Sequence, residues 1–158
     1  MLRELIGCVC KFRLPGDTII GRLVRTTEDV FVVRGVTHEG TWDGEVIGRW
    51  DVVEGVDSST EYLKFISRSL PAEPDSTIAS NSIDDALNEF AKANRLVSIT
   101  FKEDIVDGRI SVSGKWVNIV EQEMQPTGCV VHRLISDIEC ILVGSTLLGY
   151  VAERDRVR

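Results

Sequence analysis

In the stretch "DGRISVSGKWVNIVEQE" (107–123) a glycine is followed by alternating apolar and polar positions: Ile110 and Val112, then Val117 and Ile119. A weaker copy begins at Gly21 in "GRLVRTTEDVFVVRG". Alternation with a period of two and a high share of β-branched residues predicts half-buried strands. In the first half of the chain, strands are predicted over 5–15, 18–26 and 30–36, and 46–56 reads as one strand or as a pair broken at Gly48. "LPGD" (14–17) and "TTED" (26–29) supply turns, and "THEGTWDGE" (37–45) reads as a Gly-rich loop. A glycine inside a strand, such as Gly21, predicts a bulge or sharp bend.

The period changes after residue 57. "SSTEYLKFISRSL" (58–70) fits a helix with a capping box from Ser58 to Glu61 and an apolar face of Tyr62, Phe65 and Ile66. It also fits a strand using Leu63 and Phe65, and both readings stay open. Residues 69–80 hold two prolines among small polar residues and read as a linker. "NSIDDALNEFAKANR" (81–95) is the clearest helix, capped by Ser82 with Asp85 three residues on. Its apolar stripe is Ile83, Ala86, Leu87, Phe90 and Ala91, and Asn94 suits its C-terminal end. Short strands follow in "LVSITF", "GRISVSG", "KWVNIVEQE", "GCVVHRLI", "DIECILVG" and "LLGYV".

Aligning Gly21 with Gly108 also aligns Leu23 with Ile110, Val30 with Val117, Val32 with Ile119 and Val33 with Val120. Further on, Val46 meets Val131, Val53 meets Ile138, Glu54 meets Glu139 and Val56 meets Ile141. Such self-similarity predicts two copies of one unit. The second copy resembles the Sm-like family on Gly108, Ile110, Asn118 and the apolar pair Ile119 and Val120; Gly114 stands where that family has an aspartate. In the first copy the asparagine position falls on Phe31. The resemblance implies a mainly β fold of two small, strongly bent antiparallel β-barrels, with a helix before the second. The expected units are residues 1–68, a linker over 69–81, and helix plus barrel over 82–158. In the family the asparagine helps to hold a base, so the resemblance implies an RNA or nucleotide site at Asn118 with Lys115, His132 and Arg133. It also implies association of copies through open sheet edges.

Charge shifts the functional reading. The net charge is −7, and residues 71–94 alone hold five acidic groups against one basic. An acidic chain does not attract phosphate backbones over its whole surface. No apolar run reaches the ~20 residues of a membrane-spanning helix. Cys8, Cys10, Cys129 and Cys140 form no C-x-x-C pair, and Cys8 and Cys10 are spaced to share one strand face. Reduced, buried thiols and a cytoplasmic location are expected.

No nucleophile elbow, phosphate loop, dinucleotide fingerprint or zinc-protease helix occurs, so no enzyme activity, cofactor or metal is expected. His38, Glu39 and Asp43 share one loop, which is too few ligands for a metal site. Trp50 and Trp116 read as core residues and Trp42 as an exposed anchor. The expectation is a non-catalytic protein that masks a protein partner, a basic one, in the manner of an immunity or antitoxin protein. Glu39, Trp42 and Asp43 are its expected contact residues.

Overall fold

The alternating segments become ten antiparallel strands of one sheet in a computed structural model, which describes residues 2–121 and 129–145. The strands are β1 (Val9–Arg13), β2 (Thr18–Thr26), β3 (Val30–Val36), β4 (Trp42–Arg49) and β5 (Gly55–Asp57), then β6 (Leu96–Phe101), β7 (Ile105–Ser113), β8 (Trp116–Glu121), β9 (Val130–Leu134) and β10 (Ile138–Val143). Two helices lie between these sets, α1 (Glu61–Ser69) and α2 (Ile83–Lys92). The predicted strand "LLGYV" lies outside the described residues.

The order across the sheet is β5-β1-β2-β3-β4-β10-β6-β7-β8-β9. Each half repeats one arrangement: β5-β1-β2-β3-β4 matches β10-β6-β7-β8-β9 strand for strand. The halves do not separate into two closed units. β4 hydrogen-bonds to β10, with Gly48 opposite Cys140 and Val46 opposite Leu142, so the described sheet is continuous and open, with β5 and β9 at its ends.

Fine detail repeats as well. A 3-10 turn (Trp50–Val52) follows β4 and another (Ile135–Asp137) follows β9. The Trp50 N–H donates to Asp29 O at 2.9 Å, and the Ile135 N–H donates to Lys115 O at 3.0 Å. Gly21 and Gly108 do the same work. A Cβ on Gly21 would lie 2.3 Å from Arg34 O, and one on Gly108 would lie 2.2 Å from Val120 O. The paired strand crosses so closely at both places that no side chain fits.

These contacts also correct the alignment of the copies. Gly21 sits against Val33 and Arg34, whereas Gly108 sits against Ile119 and Val120. The counterpart of Ile119 is therefore Val33, and that of Asn118 is Val32 rather than Phe31. A bulge between Leu23 and Arg25 in β2 shifts the first register by one residue. In the second copy β7 and β8 pair without interruption from Gly108 to Ser113.

α2 forms as its pattern predicts. Ser82 Oγ accepts from the Asp85 N–H at 3.1 Å, and Asn94 takes a left-handed φ of 50° beyond the end. Ile83, Ala86, Leu87 and Phe90 are buried. They pack on Val97, Ile99, Val117 and Ile119 of the second half and on Val30, Val32 and Ile47 of the first. One helix thus ties both halves into one core. The open choice over 58–70 resolves as helix α1. Its cap is Thr60, whose Oγ1 accepts from the Leu63 N–H at 3.2 Å, not Ser58. Leu63 and Ile66 face inward, while Tyr62 and Phe65 are exposed.

Candidate functional site

The expected linker is a strap docked on the first half of the sheet. Arg22 Nη1 reaches Glu73 Oε2 at 3.0 Å, and Arg34 Nη2 donates to Pro74 O at 3.1 Å and Asp75 O at 2.5 Å. Arg25 donates to the carbonyls of Ile78, Ala79 and Ser80. Ile78 is buried in the α2 core. At the centre is Glu45, 1% exposed. Its carboxylate accepts from Ser76 Oγ at 2.5 Å, Thr77 N at 2.5 Å and Thr77 Oγ1 at 2.7 Å, and lies 3.4 Å from Arg34 Nη2. Burial alone would push this carboxyl up. The Ser76 and Thr77 hydrogen bonds together with the Arg34 charge outweigh burial and hold it below the usual carboxylate range.

This docking changes the reading of the expected partner-contact residues. Trp42 is not an exposed loop residue. It opens β4, is half-buried, and its indole N–H is shared between Pro71 O and Ala72 O at 3.1 Å each. The Arg22 guanidinium lies 5.1 Å from its ring centroid. Asp43 is half-buried on the same strand, and Glu39 is exposed in the preceding turn. Trp42 is committed to holding the strap, so the three do not form one exposed anchor. His38 Nδ1 lies 3.3 Å from the Tyr62 hydroxyl. Among the described residues no three His, Cys, Asp or Glu side chains are grouped to hold a metal ion.

Among the described residues, the equivalent face of the second half is bare. In the first half the pairs Val30–Arg49, Val32–Ile47 and Arg34–Glu45 lie under α2 and the strap. Their counterparts are Trp116–Leu134, Asn118–His132 and Val120–Val130. Trp116 is 41% exposed, Val120 42% and Val130 49%. Trp116 is therefore a surface residue, not the core residue its strand position suggests. Trp50 does join the core: its ring lies 4.9 Å from that of Phe31, and its N–H donates to Thr26 Oγ1 at 2.8 Å.

The four expected base-contact residues are only partly brought together. His132 Nδ1 lies 2.6 Å from Asn118 Oδ1, and Asn118 Nδ2 donates to Ser111 Oγ at 3.4 Å. Arg133, next along β9, points to the other face, where it pairs with Asp104 at 2.9 Å. Lys115 opens onto a cleft of ≈ 580 Å³ that also holds Glu28, Asp29, Asp51 and Asp84. Carboxylates outnumber the cations there, so the group is not a basic patch.

Two of the cysteines match the expectation and two do not. Cys10 and Cys140 are buried thiols, pushed up by burial to about 11 and about 12 respectively. Cys8 and Cys129 are exposed; Cys8 precedes β1 and does not share the buried face of Cys10. No helix among the described residues is long and apolar enough to cross a membrane.

Sequence reasoning missed the bare β8–β9 face because Trp116, Val120 and Val130 carry ordinary strand spacing. The face of the first half is covered by the strap and α2, which lie beyond β5 and carry no local signal in the strands themselves. Compared with protein-family models and with curated protein sequences, the chain matches none.

Proposed function

We propose that the protein is a non-catalytic binding protein made of two Sm-like modules fused through β4 and β10, acting from the cytoplasm to mask a protein partner as immunity or antitoxin proteins do. The observation that carries this reading is the β8–β9 face. Exposed apolar side chains, Trp116 and Val120 on β8 and Val130 on β9, flank the Asn118–His132 pair, and β9 is a terminal strand of the described sheet. An open edge offers main-chain hydrogen bonds and an adjacent aromatic offers an anchor, the two ingredients of strand addition. The acidic balance of the chain favours a basic partner.

A test compares capture of partners from the native cell by wild type, Trp116→Ala and Val130→Lys. Loss of one protein band with both variants supports the reading, since a hot-spot residue is worth ~2 kcal/mol or more, about thirtyfold in affinity. An unchanged band pattern removes it.

RNA or nucleotide binding is the second reading, favoured by the Asn118–His132 pair beside exposed Trp116, a platform on which a base can stack. Nuclease treatment and a salt series separate the two. Under this reading Asn118→Ala abolishes oligonucleotide binding, and affinity falls steeply with salt.

A further inference from the structure

The strap meets the first half through a set of arginines. Arg22 and Arg25 of β2, Arg34 of β3 and Arg95 just before β6 all donate to residues 73–80. Only Arg22 meets a carboxylate of the strap, that of Glu73. Arg25 and Arg34 reach the strap at main-chain carbonyls, and Arg95 reaches the Thr77 hydroxyl. Carbonyls and hydroxyls are weaker acceptors for a guanidinium than a carboxylate is. The fit is also incomplete. The Nε atoms of Arg22 and Arg34 are both buried without a hydrogen-bond partner among the described residues. Buried donors are otherwise satisfied in folded proteins, so these two N–H groups point to an acceptor that the strap does not supply.

The strap can leave this face without breaking the fold. Residues 71–77 are exposed, and among the described residues no backbone–backbone hydrogen bond joins them to the sheet. Both flanks are fixed by apolar packing: Leu70 lies against Val9, Leu63 and Ile66, and Ile78 is buried in the α2 core. Lifting 71–77 therefore breaks only its side-chain contacts with Arg22, Arg34, Trp42, Glu45 and Arg95. The strand ladders and both apolar clusters stay intact, which is the setting for local opening.

We propose that this arginine face binds an extended acidic segment of another protein, and that residues 71–77 hold the face as its internal competitor. Carboxylates of the incoming segment take the open Nε edges of Arg22 and Arg34, and its main chain crosses the Trp42 indole N–H as Pro71 and Ala72 now do. Glu45 decides the class of partner. It accepts the Thr77 N–H and two hydroxyls, and a second peptide supplies the same donors. A phosphodiester backbone supplies no such donor and would set its charge against a buried carboxylate. The face shares no residue with the β8–β9 surface, so it stands independently of the partner proposed there.

The experiment follows the fluorescence anisotropy of a labelled peptide of the strap sequence PAEPDSTIAS (71–80) titrated with the full chain. The chain is used as wild type and as a triple variant, Glu73→Gln with Ser76→Ala and Thr77→Ala, which loosens the strap and keeps every residue of the face. Faster hydrogen exchange at residue 77 with unchanged protection of α2 shows that the strap is released and the fold is intact. An internal competitor lowers apparent affinity by the fraction of time the face is open, so the triple variant should bind the peptide at least about tenfold more tightly than wild type. Converting the two acids of the peptide to amides should weaken binding about tenfold, and so should Arg22→Gln or Arg25→Gln added to the triple variant. Affinity should fall as salt rises. A residue-77 amide that stays protected in the triple variant overturns the proposal, because the strap is then not displaceable. Equal affinity of wild type and triple variant, equal affinity for the acidic and amide peptides, or tighter binding of a ten-nucleotide oligouridylate than of the peptide overturns it as well.

Discussion

Replacing Glu45 by alanine tests whether residues 71–80 are a docked strap or a tether. The substitution removes the acceptor for Ser76 Oγ, Thr77 N and Thr77 Oγ1, and takes the counter-charge from Arg34, whose side chain is 8% exposed. Hydrogen bonds to a charged acceptor contribute ~1.5–3 kcal/mol each, but three sharing one carboxylate do not add. The better guide is the loss of one partner from a buried ion pair, ~3–5 kcal/mol, because the remaining charge stays buried. Arg34 keeps the Pro74 and Asp75 carbonyls, but its Nε is already buried without a partner, so it is poorly placed to absorb the loss. A cost of ~3–4 kcal/mol is expected in urea unfolding. Hydrogen exchange locates it: the Thr77 amide, bonded to Glu45 Oε1, should lose protection before the α2 amides do. Glu45→Gln keeps an acceptor for the strap but also leaves Arg34 without its counter-charge, so it should cost less than Glu45→Ala yet remain destabilising. A cost below ~1 kcal/mol for Glu45→Ala, with Thr77 still protected, would refute the reasoning.

Other outcomes rest on the same geometry. The folded Glu45 carboxyl sits below its unfolded value of ~4.3, so its stabilisation is complete above that pH and is lost as pH falls through the folded value; the Glu45→Gln difference in urea midpoint should shrink below about pH 4. Glu139 has the opposite sign. Burial, then the charge of Glu54, raise its carboxyl against the pull of Lys102, so Glu139→Gln should raise the melting temperature at neutral pH and lose that advantage as acidification protonates Glu139. Trp42→Ala should cost ~2 kcal/mol in chemical denaturation, because the indole holds the strap; wild-type stability would show that its contacts are idle. Gly108→Ala should destabilise by at least ~2 kcal/mol, since its Cβ would lie 2.2 Å from Val120 O; a neutral result would mean that β7 and β8 can part freely. Light scattering should show species above 17.6 kDa, because β9 and β5, the end strands of the described sheet, are the counterparts of β4 and β10, which already pair within the chain.

The sequence by itself determined what local geometry can encode. Alternation placed β1–β3, the second half of β4 and β6–β10, while Trp42–Glu45 of β4 read as loop; Ser82 and the stripe through Phe90 set α2, and the recurrence of Gly21 at Gly108 marked the two close strand crossings. Each of these comes from backbone periodicity, capping or the size of one residue, and each is settled within a few residues of chain. Tertiary structure decided the rest. It joined the halves at β4–β10, slipped the first register by a bulge so that Val32 rather than Phe31 answers Asn118, and laid the strap over Trp42 while leaving Trp116 bare. An alternating strand states which of its faces is apolar, but what covers that face comes from segments tens of residues away. The arginines and Glu45 that bind the strap read as ordinary surface charges until the carbonyls of Pro74 to Ser80 arrive beside them.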